Sequence, residues 1–198
     1  MKLATNTLIV LGLAIGLAGG VTYWELVGKP QRLQEETKKA KLFRFAESEV
    51  TEIAIIQPQQ TLKFKRVQAG KWQMLAPQTQ PANDAPIAFL LGQLTQGERV
   101  QDEPITIPPQ DRAKFGLATP RARIEVTLAN GNRHRLILGN PDFTGTALYA
   151  EIDPDPATGN APAVVTLVPI DLKNAVQREL KEWQAPPAKA SPSPKPKS

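Results

Sequence analysis

Alternating apolar and polar positions mark strands in the first half of the chain. The runs Val50–Ile56 and Leu62–Arg66 are separated by turn-forming residues at 57–60, which predicts a hairpin. A third strand is predicted over Lys71–Leu75. The apolar period then becomes helical from residue 83 onward, and four apolar side chains share one face: Ile87, Leu90, Leu91 and Leu94. This half therefore predicts a βββα unit.

The second half shows the same order of patterns. Strands are predicted over Ala122–Leu128, Arg133–Leu138, Ala147–Ile152 and Val164–Leu167. A closing helix is predicted over Ile170–Trp183. Its face is formed by Leu172, Val176, Leu180 and Trp183.

Residues 130–132, Asn-Gly-Asn, form the turn between the first two strands of this half. Matching the apolar faces places Val126 opposite Leu136, which leaves a three-residue loop. Either Gly131 or Asn132 is expected to supply the left-handed backbone conformation that such a loop needs.

Matching positions in the two halves are separated by a nearly constant offset. The step along the chain from Ile53 to Ile124 is almost the same as the step from Phe64 to Leu136. A duplicated βββα unit explains this offset, although alternation in any β-rich sequence can produce the same spacing. The predicted fold class is α+β, with an N-terminal transmembrane helix followed by an antiparallel-sheet body.

Residues 1–27 form the longest apolar stretch of the chain. Residues 3–24 carry no charge, and a helix of ~20 apolar residues spans the ~30 Å hydrocarbon core of a bilayer. Tyr23 and Trp24 follow at the position of the membrane interface. We predict a retained signal-anchor helix. The alternative is a signal peptide cleaved near Val21.

Gly12, Gly16 and Gly20 recur at intervals of four within this apolar stretch. Two overlapping G-x-x-x-G units on one side of a membrane helix allow close approach of a second helix. We predict that this face docks a membrane-protein partner or a second copy of the chain. The alternative is that glycine is simply common in membrane helices.

The remaining segments divide the chain into four parts. Residues 28–41 are predicted to be a polar stalk, 42–183 the folded α+β domain and 184–198 a disordered Pro/Lys tail. The basic residues after the apolar stretch favour a cytoplasmic domain, whereas the signal-anchor pattern favours a periplasmic or lumenal one. We predict a single-pass membrane protein with a periplasmic or lumenal domain.

Charge and cysteine content exclude several classes of function. The chain has a net charge of +5, but the excess lies outside 42–183, where 15 Lys and Arg face 16 Asp and Glu. Nucleic-acid binding, which needs a basic face, is therefore not expected. The absence of cysteine excludes disulfides and thiolate chemistry.

Few residues are candidates for catalysis or for binding a metal. His134 is the only histidine and is expected on the apolar face of its strand, and Ser48 lies in an acidic turn that suits a cap. Residues 151–155 contain three carboxylates that could attract Ca²⁺, but the two prolines at 154 and 156 favour a solvated loop. We expect no catalytic residue, no cofactor and no metal. Residues 139–145 are interpreted as an extended loop.

Several short motifs carry a resemblance to a known family. Gly70-Lys71-Trp72 precedes Pro77, Phe115-Gly116-Leu117 precedes Pro120, and Gly139 and Tyr149 follow Gly131. Over residues 42–183 the chain resembles a bacterial family of membrane-anchored domains of unknown function, and it looks most like cyanobacterial members. The resemblance implies membrane anchoring in the plasma membrane or thylakoid, and an association with gliding-motility-type ABC transporter auxiliary proteins. It implies no reaction.

Two functions remain open from the sequence. The first is a membrane-tethered noncatalytic accessory or protein-interaction module, which a flat exposed apolar patch would favour. The second is an extracytoplasmic ligand- or envelope-binding domain with a cleft between two repeated halves. A cleft that gathers Arg123, Glu125 and Arg135 would favour this second function.

Overall fold

A computed structural model describes residues 41–100, 103–155 and 161–186. The predicted membrane helix, the stalk up to residue 40 and most of the tail lie outside the described residues. The packing glycines Gly12, Gly16 and Gly20 and the interface residues Tyr23 and Trp24 also lie there, so these assignments stay predictions.

Within the described ranges, neither helix has the length and apolar character needed to cross a membrane.

The described residues form nine strands. They are β1 (Val50–Ile56), β2 (Thr61–Gln68), β3 (Lys71–Ala76), β4 (Gln80–Pro81), β5 (Ile105–Ile107), β6 (Ala122–Leu128), β7 (Arg133–Pro141), β8 (Ala147–Ile152) and β9 (Ala163–Pro169). All belong to one antiparallel sheet with the order β4-β3-β2-β1-β6-β7-β8-β9-β5. The predicted α+β fold with an antiparallel sheet is confirmed for this part of the chain. The interpretation of 139–145 as a loop was wrong in part, because β7 continues to Pro141.

Helix α1 (Asp84–Gln96) begins where the sequence predicts. The Asn83 side chain accepts a hydrogen bond from the backbone N–H of Ala85 at 3.2 Å, which caps the first turn. The four apolar side chains predicted for its inner face are all buried.

The predicted helix over Ile170–Trp183 was wrong, because α2 (Asp171–Val176) ends after six residues. Gln177 leaves the helical backbone conformation at φ −84 and ψ 73, and a 3₁₀ helix follows over Leu180–Trp183. Gln57 Nε2, in the turn after β1, donates to the Val176 carbonyl at 3.1 Å, and the Arg178 N–H donates to the same carbonyl at 3.0 Å, so the helix end is satisfied. The break lets the fully buried Trp183 ring pack against Phe64, 5.3 Å between centroids.

Strands β1 and β6 pair at the centre of the sheet. Ile53 lies opposite Val126, and Ile55 lies opposite Ile124. A half-turn about an axis between these pairs exchanges them, and the sheet order places β2 and β7, then β3 and β8, at matching distances from that axis. The constant offset between the two halves therefore corresponds to an approximate two-fold relation in the sheet. That this relation arose by duplication stays a hypothesis.

The β6–β7 register differs from the predicted one by two residues. Val126 lies opposite His134, and Leu136 lies opposite Ile124. The reason is that Leu128 N–H donates to the Asn132 carbonyl at 2.8 Å, so the loop comprises residues 129–131. The loop still has three residues, with the left-handed backbone at Gly131 (φ 85), and a shift of two keeps each side chain on its predicted face.

The main core lies between one face of the sheet and both helices. Ile53, Phe64 and Ile124 from the sheet and Leu90 and Leu172 from the helices are at most 2% exposed. At roughly 25 cal/mol per Å² of apolar surface, this burial is the principal stabilising contribution to the domain.

A second, smaller core covers only part of the opposite face. Residues 105–117 run from the edge strand β5 across the outside of the sheet, where Leu117 packs in the same cluster as Ile137 of β7 and Val165 of β9. The Phe115 carbonyl lies so close to Gly139 that a Cβ there would be 2.2 Å away, so only glycine fits. The covering segment ends at β7, and within the described part of the chain no segment covers the outer side of β1, β2, β3 and β6.

An ion pair is buried under this segment. Arg112 Nη1 lies 3.3 Å from Glu151 Oε1, and the Glu151 side chain is 2% exposed. Burial raises the pKa of the Glu151 carboxyl, and the neighbouring guanidinium opposes that increase. Arg112 therefore offsets the desolvation of Glu151.

Replacing Arg112 with Met should lower the free energy of unfolding at pH 7 by about 3 kcal/mol, because the buried carboxylate loses its partner. Because burial raises the pKa of Glu151 in the folded state, protonation of this carboxyl stabilises the folded state at acid pH. This stabilisation is lost as pH rises through the folded-state pKa. Urea denaturation should therefore show the deficit of R112M shrinking from pH 7 to pH 5. The double variant R112M/E151Q, which lacks the titrating group, should not show this recovery, and a pH-independent deficit in R112M would contradict the account.

Candidate functional site

The open part of the outer sheet face contains a groove of about 760 Å³. We call it the inter-half groove, because residues of β1, β2 and β3 from the first half and of β6 and β7 from the second half line it, together with residues 153–155. Its volume lies in the range of ligand-binding clefts.

The strand register explains the shape of the groove. Along one row across the sheet, Lys63, Ala54, Glu125 and Arg135 are successive cross-strand partners. Ala54 is the small residue between long ones, so the row has a depression at β1. Alternation along each strand places these side chains on the face opposite the main core.

Two cross-strand ion pairs order charged side chains in the groove and beside it. Arg135 Nε lies 3.1 Å from Glu125 Oε1, and Lys65 Nζ lies 3.8 Å from Glu52 Oε1 on the neighbouring row. Both join directly opposed cross-strand residues. Being partly exposed, they contribute little stability, and their main effect is to fix the positions of these charges.

Two cations of the groove have no such partner. Lys63 and Arg133 are exposed, and neither forms an ion pair or a side-chain hydrogen bond with any residue in the described ranges. They come from different halves of the chain. The groove thus offers paired charges together with two cations that are available to a ligand.

His134 lies in the part of β7 that borders the groove, but its ring is on the main-core face, where it has a defined set of contacts. Its Nδ1 donates to Asp153 Oδ2 at 2.8 Å, and Asp153 Oδ1 accepts the backbone N–H of Arg135 at 2.7 Å. The ring packs against Phe43 and Phe45, with centroids 5.4 and 5.2 Å away. The predicted position of His134 on the apolar face is confirmed.

Asp153 was missed as a positioning residue by sequence reasoning. It is the only non-glycine residue with positive φ (46) in the described part of the chain. Aspartate tolerates this conformation better than most residues. An aspartate directly after a strand was the available signal.

The other residues considered from the sequence are distributed as follows. Glu125 and Arg135 line the groove, but Arg123 does not, because it lies one row away opposite Ile56 and Ile137. Ser48 lies in the 3₁₀ turn Glu47–Glu49 and forms no hydrogen bond with His134.

The three carboxylates of residues 151–155 do not form one site. Glu151 is buried beside Arg112, whereas Asp153 binds His134 and Asp155 lines the groove. Across residues 41–100, 103–155 and 161–186 no group of three or more His, Cys, Asp or Glu side chains could hold a metal ion.

Comparison with known proteins identifies one family. Residues 72–187 match the family described as a domain of unknown function, DUF4340. This match covers more than half of the chain and runs from β3 to the end of the described region. No curated protein and no solved structure matches the chain.

Replacing Asp153 with Ala should lower the free energy of unfolding by about 1–2 kcal/mol, because two hydrogen bonds are lost and alanine is disfavoured at positive φ. Asn accepts the same backbone hydrogen bond and tolerates the left-handed region, so D153N is the control and should lose less. The ring protons of His134, the sole histidine, give an NMR readout that should shift in D153A. Unchanged ring signals and unchanged stability would contradict a positioning role.

Proposed function

The chain belongs to the DUF4340 family, whose function is unknown, and we propose that its domain is a noncatalytic binding module that recognises a partner in the inter-half groove. The observation that carries this proposal is the location of the groove. It lies where the two halves of the sheet meet and takes its lining from both of them.

An extended, charged polypeptide segment is the ligand that fits the groove best. Its floor is a row of successive cross-strand partners. The spacing of side chains along an extended polypeptide matches the spacing of side chains on a sheet. The ion pairs Arg135–Glu125 and Lys65–Glu52 can orient polar groups of the bound segment. Lys63 and Arg133, which have no ion-pair partner among the described residues, favour acidic side chains in the ligand.

The noncatalytic assignment is supported by the contacts of the groove residues. His134 and Asp153 form the pair that a general base and its orienting group form in many enzymes. Here, however, the His134 ring is packed between Phe43 and Phe45, and no serine of the described ranges is hydrogen-bonded to it. The pair holds the segment at 43–45 against the sheet.

The exposed apolar side chains do not form a second binding surface that is as well defined as the inter-half groove. In the described ranges the large ones are Val67 on β2, Leu75 on β3, Phe89 on α1, Val100, Ile105 on β5, Phe143 in the loop after β7 and Val164 on β9. Leu75 lines the groove itself, and the others are distributed over several elements, as is usual on a protein surface.

The volume of the groove also supports the second function, an extracytoplasmic ligand- or envelope-binding domain. About 760 Å³ is enough for a small molecule or a short saccharide. The two functions differ in the nature of the occupant, which crosslinking distinguishes.

We further propose that residues 1–27 tether the domain to the membrane, with the domain on the periplasmic or lumenal side. In this arrangement the partner is a membrane protein, and the family resemblance nominates a transporter complex of the gliding-motility type in a cyanobacterial membrane. The support is the apolar stretch with Tyr23 and Trp24 at its end and the stripe of Gly12, Gly16 and Gly20.

Crosslinking in native membranes tests the groove. A small diazirine amino acid at Thr127, inside the groove, should give a discrete protein adduct, whereas the same residue at Asn174 on α2 should not. Reversing both free cations, K63E/R133E, should reduce the adduct roughly tenfold through like-charge repulsion with an acidic partner. The matched reversal K181E, outside the groove, should leave it unchanged.

A protein adduct from Asn174 but not from Thr127 would contradict recognition in the groove. Thr127 adducts with a lipid or saccharide rather than a protein would favour the second function.

Replacing Gly16 with Ile tests the tether as a docking element. The larger side chain should obstruct close helix approach and weaken association, while membrane insertion is retained because Ile is favourable in lipid. Leu13→Ile is the control and should do little. The measurement is recovery of copurifying protein together with resistance to carbonate extraction. Equal recovery for the wild type and both variants would show that the glycines do not dock a partner.

A further inference from the structure

A second cavity, of about 450 Å³, lies away from the inter-half groove. It is lined by the β1–β2 turn at residues 57–60, by Arg121 just before β6 and by residues 177–179 after the break in α2. The two cavities share no lining residue. Whatever this cavity binds is therefore independent of the proposed function.

Arg121 is a cation without a partner in this cavity. Its backbone N–H donates to the Leu138 carbonyl at 2.9 Å, which fixes the start of the side chain. Its Nε atom is buried and unbonded, and the guanidinium forms no ion pair or hydrogen bond with any described residue. Because Arg121 lines the cavity, the terminal nitrogens of its guanidinium are the donors that a bound group would meet.

Arg178 also lines this cavity. Its Nη1 lies 3.3 Å from Glu182 Oε2, and its Cζ lies 5.5 Å from the Phe89 ring centroid, so the side chain is held in place. Glu182 and Phe89 belong to a neighbouring depression that Arg178 lines as well, so this arginine stands between the two.

The remaining lining is polar and has little opposing charge. Gln57 is engaged with Val176 and Gln60, whereas the side-chain amides of Gln59 and Gln177 form no hydrogen bond with the described residues. Glu179 is the one acidic residue of the lining, and Lys181 lies 2.7 Å from its carboxylate. The cavity therefore has a net positive character.

We propose that this cavity binds a small molecule through an oxyanion group, phosphate or carboxylate, held between Arg121 and Arg178. Planar guanidinium groups are suited to such groups, because their N–H donors match the oxygen spacing. The free amides of Gln59 and Gln177 are available to the rest of the ligand. Because the volume exceeds that of one phosphate ion, the ligand carries the oxyanion on a larger body.

The test uses full-length protein in detergent with inorganic phosphate, succinate and, at equal ionic strength, sodium chloride. Thermal denaturation should show saturable stabilisation by phosphate, by succinate or by both, but not by chloride. Stabilisation by phosphate alone identifies a tetrahedral oxyanion, and stabilisation by succinate alone identifies a carboxylate. Either result supports the site.

Replacing Arg121 with Met keeps the aliphatic length and removes the donors, so the dissociation constant should rise at least tenfold. Arg123→Met is the matched control, because Arg123 lies on the neighbouring strand β6 outside this cavity, and it should bind like the wild type. R121K keeps the positive charge and is the control for misfolding. Its dissociation constant should lie between those of the wild type and R121M. No stabilisation of the wild type by either anion, or equal binding by R121M and R123M, would overturn the proposal.

Discussion

The antiparallel pairing of β1 with β6 is the contact on which the rest of the domain depends. Each half alone would present one of these strands as an unpaired edge, with free N–H and C=O groups. Their pairing removes both edges. It also joins Ile53 and Ile55 to Ile124 and Val126 in one core, in which each of these side chains is at most 2% exposed. Both helices can then cover the same face of one continuous sheet, and a single groove crosses the junction on the other face.

The two halves differ on that outer face. The offset that aligns Phe64 with Leu136 also aligns Lys63 with Arg135 and Lys65 with Ile137. The first of these positions is basic in both halves, whereas the second is charged in β2 and apolar in β7. Ile137 packs against the covering segment of residues 105–117, whereas Lys65 forms an ion pair with Glu52. The groove is therefore the part of the outer face that the second core does not reach.

Much of the fold follows from local patterns. The bounds of β1, β6 and β8 agree with those predicted, because alternation is strong there and turn residues flank the runs. Helix α1 begins at its predicted cap because Asn83 makes the expected hydrogen bond. The early end of α2 could not be predicted, since the Val176 carbonyl accepts a hydrogen bond from Gln57, a residue 119 positions earlier in the chain, as well as from the Arg178 N–H. The short strand β5 depends in the same way on its pairing with β9.

The candidate site was predictable only in part. Glu125 and Arg135 follow from the alternation of β6 and β7. A cleft that also gathered Arg123 would have favoured the second function, but Arg123 lies one row away, opposite Ile56 and Ile137. The role of Ala54 as the low point depends on its register with Lys63 and Glu125.

The central claim is that the inter-half groove is occupied by a partner in the membrane-bound protein. The direct measurement is the rate of lysine acylation in native membranes and after purification in detergent. Lys63 lies in the groove and Lys181 lies outside it, and both are exposed in the structure. The account predicts that Lys63 is protected in native membranes and reacts after purification, while Lys181 reacts equally in both. Equal reactivity of Lys63 in the two states would contradict it.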